Sequence, residues 1–259
     1  MKFYQVSAFS TDPFKGNPAG ICVLEKLIDK EEMQKIARVT NLPATAFIFQ
    51  ALDSFQLRWF TPNSELPLCG HATLASAYII WEKGLLPKTE KIVFHTGNGD
   101  LSVRRHDAWM EMEFPSYSNI KTTLPAELLK LFDKNIREVA ISNNRFIIEF
   151  ETEEDVKGFK PDYSILKNYS CILTSRGSTS SPYDFISRFF TSVLNGYEDA
   201  VTGSSHCSLA PYWSERLFRN DFFAYQASER GGELKIKLAN ERVFISGRAN
   251  IYIEGEMNI

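Results

Sequence analysis

Three short motifs occur twice along the chain, in the same order and at nearly constant spacing. This duplication constrains the fold more than any bulk property. Arg58-Trp59-Phe60-Thr61 returns as Arg188-Phe189-Phe190-Thr191, an offset of 130 residues. His71-Ala72-Thr73-Leu74-Ala75 returns as His206-Cys207-Ser208-Leu209-Ala210 at 135, and Gly99-Asp100-Leu101-Ser102-Val103 as Gly232-Glu233-Leu234-Lys235-Ile236 at 133. Stacked solenoid repeats run to roughly 20–50 residues, so a period this long describes two halves built on one plan. The expectation is a pair of lobes with a small-molecule cleft between them, a favoured place for such sites.

The 259 residues are 44% hydrophobic and 24% charged, enough apolar material for a core in each half. A net charge of −3 gives no electrostatic footprint for nucleic acid. Cys22, Cys69, Cys171 and Cys207 are scattered, without Cys-x-x-Cys or Cys/His ligand spacing. They read as reduced thiols rather than as a disulfide frame or a zinc site. The first residues lack the apolar stretch of a signal peptide, and no apolar run reaches the roughly 20 residues of a membrane helix. A soluble, cytoplasmic protein is expected.

Strands are expected at Phe3–Phe9, Ile21–Leu24, Thr45–Ala51 and Phe55–Phe60, the last two joined by a turn at Asp53-Ser54. Asp29 and Glu32 form a capping-box pattern, and Met33, Ile36, Ala37 and Val39 give an apolar face, so a helix runs to about Thr40. Gly70 to Lys83 is apolar all round and reads as a helix enclosed by strands, ended by Gly84. Strands at Ile92–Phe94, Leu101–Arg105 and Met110–Phe114 complete the half. In the second half, helices are expected at Leu124–Phe132 and Tyr163–Leu166. Strands are expected at Val139–Ile141, Phe146–Phe150, Cys171–Thr174, Phe185–Phe190, Phe222–Gln226, Leu234–Leu238 and Val243–Ile253. Ser204–Leu217 mirrors the first enclosed helix, with a kink expected at Pro211. Arg176–Pro182 is a loop by composition. The fold class is α+β, with lobes at 1–117 and 118–259 and the last strand able to pack back on the first lobe.

Both enclosed helices open with glycine, in Cys69-Gly70-His71 and Thr202-Gly203-Ser204-Ser205. Helix N-termini present N–H groups and the positive end of the helix dipole, and glycine admits a close approach, so each start suits an anion such as a carboxylate. His71 fits a proton carrier beside such a site, though an imidazole satisfied by backbone is the plainer reading of a single histidine. Asp199, just before the second helix, reads alone as a turn or capping residue.

Several motifs together resemble the PhzF (phenazine biosynthesis-like) family. They are Ser7-Ala8-Phe9 through Phe14-Lys15-Gly16-Asn17-Pro18-Ala19, Leu57-Arg58-Trp59-Phe60-Thr61-Pro62, Cys69-Gly70-His71-Ala72-Thr73, Glu198-Asp199-Ala200-Val201-Thr202-Gly203-Ser204 and Arg230-Gly231-Gly232-Glu233-Leu234. The match spans essentially the whole chain. It implies the diaminopimelate epimerase-like fold, with two pseudo-symmetric lobes that are each a strand-rich barrel around a central helix. The best-known activity of the family is a cofactor-free isomerisation of trans-2,3-dihydro-3-hydroxyanthranilate. The resemblance therefore implies a small carboxylic-acid substrate, no cofactor or metal, and a homodimer. Carried over by motif, His71 and Asp199 correspond to the pocket histidine and aspartate. Gly70, Gly203 and Ser204 correspond to the carboxylate cradle, and Asn17 lies in a motif near the site.

One departure bears on mechanism. The family pattern Asn-Leu-Ser-Glu-Thr-Ala-Phe reads here Asn41-Leu42-Pro43-Ala44-Thr45-Ala46-Phe47. Ala44 stands where the resemblance places a proton-transferring glutamate, and alanine transfers no proton. The thiol racemases of this fold use a cysteine from each lobe; Cys69 has no counterpart in Ala200-Val201-Thr202, which argues against two-base racemisation. A hydrolase built on Ser204 or Ser205 lacks the Gly-x-Ser-x-Gly elbow. The sequence thus points to a proton-shifting isomerase without its usual glutamate, or to a relative that binds a carboxylate metabolite or a partner without turning it over.

Overall fold

The computed structural model describes residues 1–51, 54–132, 135–194 and 197–258. Contacts divide the chain into two units, Met1–Glu113 with Ser246–Ile259 and Phe114–Ile245. The first boundary falls four residues before the expected 117/118.

The first unit begins with β1 (Lys2–Ala8), β2 (Asn17–Leu24), α1 (Lys30–Thr40), β3 (Ala44–Ala51), β4 (Ser54–Phe60) and β5 (Glu65–Leu66). It continues with α2 (Gly70–Glu82), β6 (Ile92–Thr96), β7 (Gly99–His106) and β8 (Trp109–Pro115). Asp53, in the expected turn, lies outside the described residues. β1 and β2 pair antiparallel, β2 and β3 parallel, β3 and β4 antiparallel, β4 and β6 parallel, and β6 and β7 antiparallel. Asp29 caps α1 by accepting from the Glu32 N–H at 2.7 Å. Met33, Ile36 and Ala37 turn inward. Val39, expected on the same face, is 77% exposed, because two residues past Ala37 is about 200° around the helix. α2 packs on β1, β2 and β3. It buries Leu74, Ile79, Ile80 and Trp81 almost completely, which makes it the centre of this unit. Each such side chain contributes about 1.5–3 kcal/mol by leaving water. The helix ends where Gly84, at φ 68°, takes the left-handed turn and the Leu85 N–H reaches back to the Ile80 carbonyl at 2.9 Å.

The second unit repeats the wiring. It contains β9 (Ile120–Lys121), α3 (Ala126–Leu129), β10 (Ile136–Ser142), β11 (Arg145–Phe150), α4 (Glu153–Gly158), α5 (Tyr163–Leu166) and β12 (Cys171–Arg176). β13 (Phe185–Phe190), β14 (Glu198–Asp199), α6 (His206–Leu217), β15 (Asp221–Gln226), β16 (Gly232–Ala239) and β17 (Arg242–Gly247) follow. β10 and β11 pair antiparallel, β11 and β12 parallel, β12 and β13 antiparallel, β13 and β15 parallel, and β15 and β16 antiparallel. That is the order of the first unit, pair for pair. The last strand, β18 (Ala249–Glu256), returns to the first unit and runs antiparallel along all of β1, from Ala8↔Ala249 to Lys2↔Glu256.

The duplication carries an ion pair as well as a topology. Arg58 Nε donates to Glu65 at 2.8 Å, and Arg188 makes two bonds to Glu198 at 2.7 and 2.8 Å. Each arginine also lies over the phenylalanine two residues on, Phe60 at 5.3 Å and Phe190 at 5.0 Å.

Two expectations are corrected. The helix expected over Leu124–Phe132 is only α3, because Pro125 keeps Leu124 from helical backbone and Phe132 turns into the core. The single strand expected over Val243–Ile253 is interrupted between β17 and β18, next to Gly247, where a Cβ would lie 2.4 Å from the Phe9 ring. α6 also runs through Pro211 without a break in its helical span. The N–H that proline lacks would have met the Cys207 carbonyl, and the Tyr117 N–H takes that carbonyl instead at 3.0 Å. Among the described residues, no helix is long and apolar enough to cross a membrane.

Candidate active site

Side chains cap three of the four shorter helices, Asp29 on α1, Thr152 with Asp155 on α4, and Asp162 on α5, while α3 starts behind Pro125 without one. The two central helices differ. Cys69 gives α2 no side-chain cap, and Thr202 gives none to the 3₁₀ turn Gly203–Ser205 that leads into α6. Their first-turn N–H groups are thus not claimed by the residue that usually claims them.

In the first unit, β5 and the Pro67 turn bring the chain to Cys69 in extended geometry, φ −144° and ψ 98°, and the helix begins at Gly70. The Cys69 Sγ lies 3.5 Å from His71 Nδ1. Cys69 is buried and His71 half-buried. Burial pushes the Cys22, Cys171 and Cys207 thiols up to about 12, as expected of packed-core cysteines. Asn17 is fully buried at the start of β2. It follows Gly16, whose φ of 73° and backbone approach to the Ala8 carbonyl leave no room for a Cβ. Ala44 is fully buried at the start of β3, in register with Ala19 on β2. Strand alternation puts Asn17, Ala19 and Ala44 on one face of the sheet. The structure therefore places His71 in the first turn of α2, next to Gly70, and Asn17 on the same face of the sheet as Ala44.

In the second unit one turn gathers the predicted residues. Asp199 Oδ2 accepts the Thr202 hydroxyl at 2.5 Å. Gln226, fully buried on β15, holds both ends of this turn: its Nε2 donates to the Asp199 carbonyl at 2.7 Å, and its Oε1 accepts from the Thr202 N–H at 2.8 Å. Ser204 follows Gly203, and its hydroxyl accepts from Arg145 Nη1 at 3.1 Å. The Arg145 guanidinium lies over the Phe189 ring at 4.9 Å, and Phe189 pairs with Asp199 across the β13–β14 ladder. Thr202 stands inside a motif already recognised, whereas Gln226 and Arg145 carry no local sequence signal.

The repeated histidine needs a correction. Counted from the helix-opening glycines, His71 corresponds to Ser204 and His206 to Thr73. The hydrogen bonds follow the glycines. Thr73 Oγ1 donates to the Cys69 carbonyl at 2.7 Å, and His206 Nδ1 bonds the Thr202 carbonyl at 2.9 Å, each four residues back. The 3₁₀ turn takes up the two-residue difference further into the helix. His206 is fully buried against Phe185, and burial lowers its pKa to about 4. It is a neutral structural residue rather than a second proton carrier.

A separate hollow of about 750 Å³ in the second unit is lined by Arg137, Glu153, Arg176, Ser178, Asp184 and Arg219, among others. Its lining includes no predicted site residue. Among the described residues no three His, Cys, Asp or Glu side chains are grouped so as to hold a metal ion.

The fold defines the class first. It is α+β and of the diaminopimelate epimerase-like kind. A hydroxyproline epimerase from Agrobacterium vitis superposes with a TM-score of 0.65 over 98% of this chain and 91% of its own, at 10% identity, a likeness of fold alone. A PhzF-family phenazine biosynthesis protein from Enterococcus faecalis superposes at 0.94, with 35% identity, over 100% of this chain and 99% of its own. The family model described as phenazine biosynthesis-like protein matches residues 6–255. A relative from Halalkalibacterium halodurans, named as an uncharacterised isomerase, is 44% identical over 259 residues, covering 98% of this chain and 97% of its own. The chain belongs to the PhzF (phenazine biosynthesis-like) family.

Proposed function

We propose that the chain is a cofactor-independent isomerase that moves a proton within a small carboxylic acid. A base takes a proton from one carbon, the double bond shifts, and the proton returns at another carbon, with no net change of oxidation state. His71 and Asp199 are the acid/base residues of this reading, Asp199 being fixed through Thr202 and Gln226. Gly70, Gly203, Ser204 and Asn17 are the substrate-binding residues of this reading. The observation that carries this reading is the pair of central helices without side-chain caps, α2 opening at Gly70 beside His71 and α6 entered through the 3₁₀ turn Gly203–Ser205, which begins four residues after Asp199. The names of the relatives support it. The family also supports a homodimer, which light scattering would test. None of the four cysteines is in a disulfide, in keeping with a cytoplasmic setting.

Ala44 favours a second reading, in which the site binds a carboxylate metabolite or a partner without turnover. Solvent-deuterium incorporation separates the two. Wild-type protein incubated in D₂O with dihydro-hydroxyanthranilate and a panel of small hydroxy and amino acids should label at least one compound at carbon. Labelling by none of them would remove the isomerase reading and leave the binding one.

A further inference from the structure

Arg145 opens β11 directly after Asn143 and Asn144, both at positive φ (46° and 59°), which make the tight turn of the β10–β11 hairpin. The hairpin is fastened to α6 by the Ser142 hydroxyl, which donates to Ser208 Oγ at 2.9 Å. The arginine is therefore held in fixed relation to the start of that helix. It is half-buried, and its one hydrogen bond among the described residues is to Ser204.

Other arginines of this chain show what is unusual here. Arg58, Arg105, Arg188 and Arg216 each meet a carboxylate. Arg38, Arg104 and Arg176 meet none among the described residues but stand in solvent. Arg145 is withdrawn from water and meets no carboxylate among the described residues. A guanidinium has five N–H donors, and one lying over an aromatic ring presents them at its rim, the geometry that receives a carboxylate in two parallel bonds.

The geometry points to Arg145 as the cation that receives the substrate's carboxylate in the second unit, and so as the residue that selects acids over their neutral amides. Ser204 aligns the guanidinium and Phe189 supports its face. Burial lowers the arginine's pKa, an effect opposed by Cys207, Tyr117 and Asp199. The group nonetheless stays charged, since an arginine is not deprotonated in a protein. This inference rests on the carboxylate reading of the site and adds the residue that enforces it.

The test is calorimetric titration with 3-hydroxyanthranilate and with its carboxamide. The proteins are wild type, Arg145→Gln and Arg145→Lys, with thermal melting to check folding. Wild type should bind the acid at least tenfold tighter than the amide. Arg145→Gln should weaken the acid at least tenfold while leaving the amide unchanged, and Arg145→Lys should fall between, because it keeps the charge but loses the fork. A merely structural arginine would weaken both ligands together. If Arg145→Gln keeps the preference for the acid, the inference is overturned while the proposed function stands. If Arg145→Gln does not fold, Arg145→Lys decides, and an undiminished preference there overturns it. Should wild type bind the acid no better than the amide, the carboxylate reading falls, and this inference with it.

Discussion

Ala44 is fully enclosed, with Asn17 on the same face of the sheet. A glutamate introduced there would be desolvated, which raises a carboxyl pKa toward the neutral range where general acid/base groups work well. Ala44→Glu is therefore expected to raise proton exchange on dihydro-hydroxyanthranilate by about 10²–10⁴-fold, read as deuterium incorporation by NMR. Binding without such a rise would mean that the pocket has diverged beyond this position. Asp199→Asn keeps an acceptor for Thr202 and removes the charge. Exchange should fall by about 10²-fold or more while the melting temperature holds, and unchanged exchange would take Asp199 out of the mechanism. His206 gives a stability prediction. Its folded pKa is lowered to about 4, below the unfolded value of roughly 6.5, so between those values the unfolded chain binds the extra proton. Its contribution is complete above pH 6.5 and is lost as pH falls toward 4, by about 2 kcal/mol at pH 5. His206→Thr, which imitates Thr73, should flatten this acid loss in urea titrations at pH 7.5 and 5. Much of the candidate site was legible, because Gly70, His71, Asp199 and Gly203 lie in contiguous motifs. Arg145 was not, since its partner Ser204 is 59 residues away. Gln226 likewise reaches across 27 residues to Asp199.

Arg188 joins three elements. It pairs with Glu198 on β14 from its place on β13, and it donates to the carbonyls of Val156, Lys157 and Phe159 at the end of α4. Its counterpart Arg58 has a side chain 36% exposed, against 9% for Arg188. The same ion pair should therefore differ in worth between the two units. Arg188→Met leaves Glu198 and three helix carbonyls without their donor and should cost about 3–5 kcal/mol. Arg58→Met should cost about 1 kcal/mol or less, because solvent screens the pair. Equal shifts in urea midpoint would contradict this. The strands were largely legible from apolar and aromatic runs bounded by Gly, Pro and Asn. α4 was not, because six residues show no helical period. Its signal is the capping box of Thr152 and Asp155, which is worth about 1 kcal/mol at such a cap. α3 failed the other way, since the apolar spacing starts at Leu124, before Pro125 allows a helix to begin, and runs on to Phe132, past the helix end at Leu129.

The duplication made the two-unit plan visible in the letters, because aligned motifs require aligned strands. Motif offsets do not show that the first unit takes its last strand from the far end of the chain, since β18 has no motif that names its partner. The two units should accordingly differ as fragments. Residues 114–245 form a continuous unit and should give dispersed amide NMR spectra when expressed alone. Residues 1–113 lack the strand that covers β1 from Lys2 to Ala8 and should not, unless a peptide of residues 246–259 is added. A well-dispersed spectrum from 1–113 alone would show that β18 is dispensable. There is a consequence for how the chain is made. On the ribosome the second unit has its full complement of residues before β18 emerges, so the half synthesised first is completed last. At roughly 5–20 residues per second, β1 waits on the order of tens of seconds with one row of backbone groups unpaired. Through that interval the nascent chain depends on chaperones, or on speed, to keep that edge from finding a stranger.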